Sequence, residues 1–136
     1  MAARSTRIVR NGCGYVYQIP CEDKGWMEEF LYKNQTAIHL LLDCSARTAY
    51  ENFSHSLIAL ETAINESAIS ECGQFQIEQS MDTDFIHIIS CCFINSVLSI
   101  PLRQHTNGRQ QYLRILGDYF SFYEAGWKHL LNKAIP

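Results

Sequence analysis

Charged side chains are scarce in this chain of 136 residues. Asp, Glu, Lys and Arg make up 18% of it, below the roughly 25% that is typical of soluble domains. Glycine and proline are also few, at seven and three, and the chain has no glycine-rich phosphate loop, internal repeat or low-complexity tract. These absences exclude a P-loop nucleotide site and a solenoid, and the length predicts a single globular domain over residues 12–136.

Long apolar runs are missing as well. The most apolar stretch, residues 86–102, is interrupted by polar residues and by Pro101, whereas a membrane span needs roughly 18 uninterrupted apolar residues. Residues 1–11 contain three arginines, but no apolar segment of the kind found in secretory signals follows them. We therefore expect a cytoplasmic protein without a membrane segment, and a flexible basic tail at residues 1–11.

Six cysteines and five histidines offer the most chemistry. His87 and Cys91 are four residues apart, so a helix would present both on one face, as two of the four ligands of a zinc site. No second pair at a suitable spacing accompanies them. We predict no metal, no cofactor and no catalytic residue, and we interpret the cysteines as reduced thiols. A small enzyme with a Cys/His or His/Asp site is the alternative that this composition leaves open.

The chain does have a very uneven distribution of charge. Residues 22–84 contain twelve carboxylates and three cations, whereas the two flanks contain eight cations and two carboxylates. The middle segment is therefore acidic and the flanks are basic, although the formal net charge is only −3. Such a field can steer a charged partner. The basic flanks also suggest a regulator that contacts nucleic acid, but the acidic middle segment makes this the weaker alternative.

The spacing of apolar residues predicts a mainly α protein with about four helices around one core, and α+β is the alternative. One helix is expected from Pro20 to about Cys44, with Met27, Phe30 and Leu31 on its core face. A second follows the capping-box pattern at residues 48–51. A third covers residues 85–98, where the apolar pattern also fits a strand, and the last runs over residues 109–133. We also expect a small two-stranded element that pairs Tyr15–Ile19 with Gln74–Glu78.

Two helices have faces that bear on function. In the second helix, the core stripe is expected to be Tyr50, Phe53, Leu57, Leu60 and Ile64. In the last helix, Tyr123 and Trp127 lie near the middle of a wide aromatic arc that we assign to the core. Ile115, Phe122 and Gly126 lie at the edge of that arc and form a candidate contact strip, which leaves self-association open.

The sequence therefore favours a non-catalytic module that binds another protein with a basic surface. Its predicted partner-binding residues lie on the acidic helices, with Ile58 as the apolar centre of the contact. The most concrete form of this hypothesis is a small inhibitor, similar in charge and size to an immunity protein or antitoxin, that captures a cationic toxin quickly through electrostatic steering. The competing interpretation is that the acidic residues only solvate two helices. The predicted contact residues are Glu28, Glu29, Glu51, His55 and Ile58.

Overall fold

The computed structural model describes residues 7–12, 14–71, 82–102 and 108–133. Within these ranges the protein is mainly helical, as predicted, with a small antiparallel sheet. The strands are β1 (Ile8–Asn11) and β2 (Gly14–Tyr17). The helices are α1 (Cys21–Lys33), α2 (Gln35–Asp43), α3 (Phe53–Glu71), α4 (Thr83–Ser99) and α5 (Gly108–Asn132), and a 3₁₀ helix, Ile100–Leu102, follows α4.

The sheet is a hairpin near the start of the chain. Ile8 lies opposite Tyr17, and Asn11 lies opposite Gly14. In the connection, Gly12 has a φ of 62°, in the left-handed region that glycine enters without steric cost. The short connection therefore holds the two strands in register.

This hairpin corrects two predictions. The predicted strand that contains Tyr15 is present, but it pairs with Ile8–Asn11, while Gln74–Glu78 lies outside the described residues. Residues 8–11, within the predicted flexible tail, form a strand. The Ile8 side chain is buried in the core, and Arg7, which precedes the strand, is buried as well. The sequence hid this role because an arginine in a short, non-periodic segment is normally solvated.

The hairpin packs against the end of α5. The Tyr15 backbone N–H donates to Asn132 Oδ1 at 2.7 Å, and Asn132 Nδ2 donates back to the Tyr15 carbonyl at 2.8 Å. A Cβ atom at Gly14 would lie only 2.6 Å from Asn132 Oδ1, which is closer than a side chain can approach. Glycine at this position therefore permits the strand and the helix to meet.

The first predicted helix is two helices. Pro20 precedes α1 as predicted, but α1 ends at Lys33 and α2 begins at Gln35. Between them, Asn34 has a φ of −113°, and its side-chain amide donates to the Phe30 carbonyl at 2.8 Å. An asparagine that bonds to nearby backbone in this way competes with the helix ladder, which explains the break.

The predicted capping box does not start α3. Thr48 Oγ1 accepts from the Tyr50 N–H, and the Glu51 carboxylate accepts from the Arg47 N–H. These bonds stabilise a turn that precedes the helix, and α3 begins only at Phe53. The two residues therefore act as caps, but of a turn rather than of a helix.

The face of α3 that meets the core also differs from the prediction. Phe53 and Leu57 of the predicted core stripe are partly buried against the core, but Tyr50 and Leu60 are 65% and 58% exposed. The helix is rotated so that polar residues join apolar ones on the buried side. The buried residues of α3 are Ile58, Glu61, Asn65, Ala68 and Ile69.

The last two helices follow the predictions closely. The segment that could be helix or strand is helix α4, which packs against α3, and Asp82 caps it by accepting from the Asp84 N–H at 2.8 Å. The aromatic arc of α5 is core, as expected. Its buried residues are Tyr112, Leu116, Phe120, Tyr123, Trp127 and Leu131.

One helical segment also has the length and composition of a membrane span. Thr83–Leu102 meets both criteria, and 39% of it is buried inside the protein. A core helix of a soluble protein passes the same test. In this fold, the buried side of the segment includes Ile86, Ser90 and Phe93, so α4 contributes to the core.

Candidate functional site

The core contains a group of hydrogen-bonded polar side chains that the sequence did not predict. One member precedes β1, one lies on β2, two lie on α3, one on α4 and one on α5, and all are buried. We call it the polar cluster. Its members are Arg7, Tyr17, Glu61, Asn65, Ser90 and Tyr123.

Asn65 is the centre of the polar cluster. Its Oδ1 accepts from the Tyr17 hydroxyl at 2.6 Å, and its Nδ2 donates to Ser90 Oγ and to the Tyr123 hydroxyl oxygen, both at 3.0 Å. The Arg7 guanidinium pairs with the Glu61 carboxylate. Because these buried polar groups are paired with one another, the cluster links the hairpin to α3, α4 and α5 without a large desolvation penalty.

The cluster also shifts the titration of its tyrosines. Burial raises the pKa of Tyr123 to about 12, and the nearby Glu61 charge adds to the effect. Burial likewise raises the pKa of Tyr17 far above its ordinary value, although Arg7 opposes this shift. Both hydroxyls are therefore protonated in the folded protein at neutral pH and can serve as hydrogen-bond donors.

We expect the protein to lose stability as the pH rises above about 10. The pKa of Tyr123 is about 12 in the folded state and about 10 in an unfolded chain. Its contribution is therefore complete below about pH 10 and is lost as the pH rises towards 12, at about 1.4 kcal/mol per pH unit. Urea unfolding between pH 8 and about 11 measures this slope. Tyr123→Phe should reduce it, whereas Tyr50→Phe, at an exposed site, should not; equal slopes in both variants would contradict the assignment.

The predicted contact residues lie on two parts of the fold and differ in their exposure. Glu28 and Glu29 lie on α1, while Glu51 precedes α3 and His55 lies in its first turn, and both of the latter are exposed. Ile58 is only 6% exposed, so its prediction as the apolar centre of a contact is wrong. The cause is the rotation of α3, which turns Ile58 towards the core.

Some of the charges of the acidic segment and the basic flanks pair with one another within the protein. Cations from the flanks pair with carboxylates of the acidic segment, and one flank carboxylate pairs with a lysine of that segment. Glu29 also contacts Lys33, and hydrogen bonds from Lys33 and Arg109 lower the pKa of Glu29. The acidic field at the surface is therefore weaker than the sequence implies. The cross-pairs are Arg7 with Glu61, Arg109 with Glu29, and Lys24 with Glu124.

The outward side of α1 carries an exposed aromatic pair. Trp26 is 63% exposed and stacks on Phe30, with ring centroids 4.8 Å apart. Glu22 precedes Trp26 by one helical turn, and Glu29 follows it by three residues, so both carboxylates share this side. We call these residues, with Lys33, the α1 face. Phe30 had been assigned to the core, and the signal that could have corrected this is Trp26, which falls outside the predicted stripe.

A second apolar surface lies between α4 and α5. A groove of about 320 Å³ opens there and is lined almost entirely by apolar atoms. Phe122, predicted at the edge of the aromatic arc, is 72% exposed beside it. We call it the α4–α5 groove. Its lining residues include Phe85, Ile88, Cys92, Phe122, Gly126 and Leu130.

His87 and Cys91 do not gather further ligands in the described part of the chain. No group of three or more His, Cys, Asp or Glu side chains that could hold a metal ion occurs among those residues. His87 Nδ1 lies 3.4 Å from Thr62 Oγ1, and Cys91 Sγ accepts from Asn95 Nδ2 at 3.3 Å. Both side chains therefore have local partners on the surface of the helices.

Comparisons with protein-family models, with curated proteins and with solved structures found no match to this chain. The chemistry of its own surfaces is therefore the basis for a functional proposal. Within the described residues, large apolar side chains are exposed side by side on the α1 face and along the α4–α5 groove.

Proposed function

We propose that this protein is a non-catalytic module that binds another protein with a basic surface, and that the α1 face is its contact. The observation that supports the proposal is the stacked pair of Trp26 and Phe30, which is exposed on a helix and flanked by Glu22 and Glu29. An exposed aromatic pair lowers the solubility of a protein, so its presence on the surface suggests a binding role. A tryptophan at the centre of a polar rim is typical of the residues that dominate binding energy at protein interfaces.

The chemistry of this face suits a cationic side chain of the partner. An arginine or lysine placed over the Trp26 ring gains a cation–π interaction. The Glu22 carboxylate, one turn away on the same side of α1, is in position to accept a charge-assisted hydrogen bond from that cation. Apolar atoms of the partner then cover Phe30. Glu29 is already paired with Lys33 and Arg109, so the negative charge offered to a partner is that of Glu22. An aromatic anchor beside this carboxylate favours a basic and partly apolar surface.

The most concrete form of the proposal is a small cytoplasmic inhibitor that blocks a cationic toxin or nuclease. The single-domain size and the acidic carboxylates that stay exposed outside the α1 face, such as Glu51 and Glu66, support this form because they speed capture of a cationic partner. They contribute to steering over a distance rather than to the contact itself.

Affinity capture from the source cell, followed by binding measurements with purified proteins, tests the proposal. We expect one stoichiometric partner with an excess of Lys and Arg. Trp26→Ser should weaken its binding by at least about 30-fold, the effect of losing an interface anchor. Glu22→Lys should slow association and reduce its dependence on salt.

Tyr50→Ser is the matched control, because Tyr50 is exposed to a similar degree, lies outside the α1 face and precedes α3. It should leave the dissociation constant unchanged. If Trp26→Ser and Tyr50→Ser bind the purified partner equally well, or if the captured partner is acidic, the α1 face is not the contact.

A further inference from the structure

The strip of α5 that borders the α4–α5 groove is exposed along its whole length. Its residues recur at steps of three and four, so they share one side of the helix. Asp118, Phe122, Gly126 and His129 are all exposed, and Phe122 contacts Tyr119 at the rim of the groove. An aromatic side chain thus stands beside an apolar groove that it does not fill.

No packing contact among the described residues explains the glycine at position 126. Glycine inside a helix is destabilising relative to alanine, and a Cβ atom added at Gly126 would meet nothing within 4 Å. Its backbone is not in the left-handed region either. Internal packing therefore does not require glycine here. What a missing side chain does provide is room for a second element to approach the backbone closely at the groove.

The polar groups on this strip are arranged to suit antiparallel pairing of two copies of the strip. Asp118 lies eleven residues before His129, a separation of about 16 Å along the axis, and Lys133 lies one turn beyond His129. When two such helices run antiparallel about a two-fold axis near residues 123–124, each Asp118 lies opposite the His129 of the other copy. Phe122 then lies opposite the small residues at positions 125 and 126. Parallel pairing would bring like charges together.

We infer that the protein forms a two-fold symmetric dimer in which the α5 helices of two copies pack antiparallel at Gly126, and each Phe122 enters the α4–α5 groove of the other copy. Such an interface is isologous, because the same strip supplies both the inserted side chain and the groove that receives it. The exposed rings of Phe85 and Phe122 and the side chain of Ile88 would be covered. This inference is independent of the α1 face, which stays exposed in the dimer.

Sedimentation velocity over a series of concentrations tests the inference. We expect wild-type protein to form a species of twice the 15.6 kDa chain mass. Phe122→Asp should weaken self-association at least about ten-fold. Leu60→Asp, at an exposed leucine of α3, is the matched control and should associate like the wild type. Gly126→Leu should also dissociate the dimer, while Gly117→Leu, at a glycine that does not line the groove, should have the smaller effect.

A charge exchange tests the antiparallel arrangement itself. Asp118→Lys and His129→Glu should each self-associate more weakly than the wild type. The first removes the carboxylate that faces His129 of the other copy, and the second places two carboxylates opposite one another. An equimolar mixture of the two variants should recover the dimer, since the new lysine of one variant would lie opposite the new glutamate of the other. A mixture that associates no better than its components would overturn the arrangement.

Three further results would overturn the dimer. One is a wild-type protein that stays monomeric at its highest soluble concentration. This result would count against the dimer even if the groove bound an apolar dye. Another is equal weakening by Phe122→Asp and Leu60→Asp. The third is a dimer that is lost in Trp26→Ser but kept in Phe122→Asp, which would move the interface to the α1 face. Circular dichroism of every variant verifies that the helices are intact.

Discussion

Glu61→Ala is expected to destabilise the protein by about 3–5 kcal/mol, the cost of leaving one partner of a buried ion pair without the other. Arg7 and Glu61 are 7% and 6% exposed in their side chains. Removal of the carboxylate leaves the Arg7 guanidinium buried without its counter-charge, and the Tyr123 hydroxyl loses its contact with Glu61. Urea unfolding followed by circular dichroism measures the change in the free energy of unfolding.

The double variant Arg7→Leu with Glu61→Leu distinguishes two possible causes of the destabilisation by Glu61→Ala, namely the uncompensated Arg7 charge and the loss of side-chain packing. Replacement of a buried ion pair by apolar residues of similar volume is often neutral or stabilising, so this variant should be more stable than Glu61→Ala. Glu66→Ala on the same helix is the control for helix propensity, because Glu66 is exposed, and should change stability by less than about 0.5 kcal/mol. If Glu61→Ala resembles Glu66→Ala, the ion pair does not hold the hairpin in place.

Trp127→Ala is expected to cost about 3–5 kcal/mol, as truncation of buried aromatic side chains does. Trp127 is almost completely buried, stacks on Tyr17 with centroids 5.0 Å apart, and meets Tyr123 edge-on. Its loss would open a cavity beside the hairpin and the polar cluster. Thermal and urea unfolding both report the change.

The other tryptophan provides an internal control. Trp26→Ala removes a ring of the same size from the exposed α1 face and should change stability by less than about 0.5 kcal/mol. A Trp127→Ala protein with near-native stability would mean that the aromatic arc of α5 is a surface rather than core. Since the two variants remove the same atoms, the difference between their free energies of unfolding reports the effect of the buried surroundings of Trp127.

The parts of the fold that the sequence predicted are those in which one helix face is uniformly apolar. In α5, aromatic and leucine residues recur at helical spacing over the whole helix, and the structure buries that arc. In α4, the length of the apolar segment predicted a helix rather than a strand, and Asp82 caps the helix in the structure. In both cases local pattern and tertiary packing agree, so the pattern was sufficient.

The face of α3 was predicted wrongly because its partner lies far away in the sequence. Glu61 and Asn65 are polar and lie outside the predicted core stripe, whereas Leu60 was predicted to belong to it. Their burial depends on Arg7, which reaches them from a segment 54 residues earlier. A pattern within one helix contains no information about such a partner. The same error turned Ile58, a core residue, into a predicted contact residue.

The pair of hydrogen bonds between Tyr15 and Asn132 has a consequence for folding during biosynthesis. The two residues are 117 positions apart in the chain, so a nascent polypeptide cannot complete its fold until nearly all of α5 has left the ribosome. Contacts between such distant positions also form slowly, because a long loop must close first. Until then the side of the hairpin that packs against α5 has no partner, and exposed surfaces of this kind are what chaperones shield from aggregation.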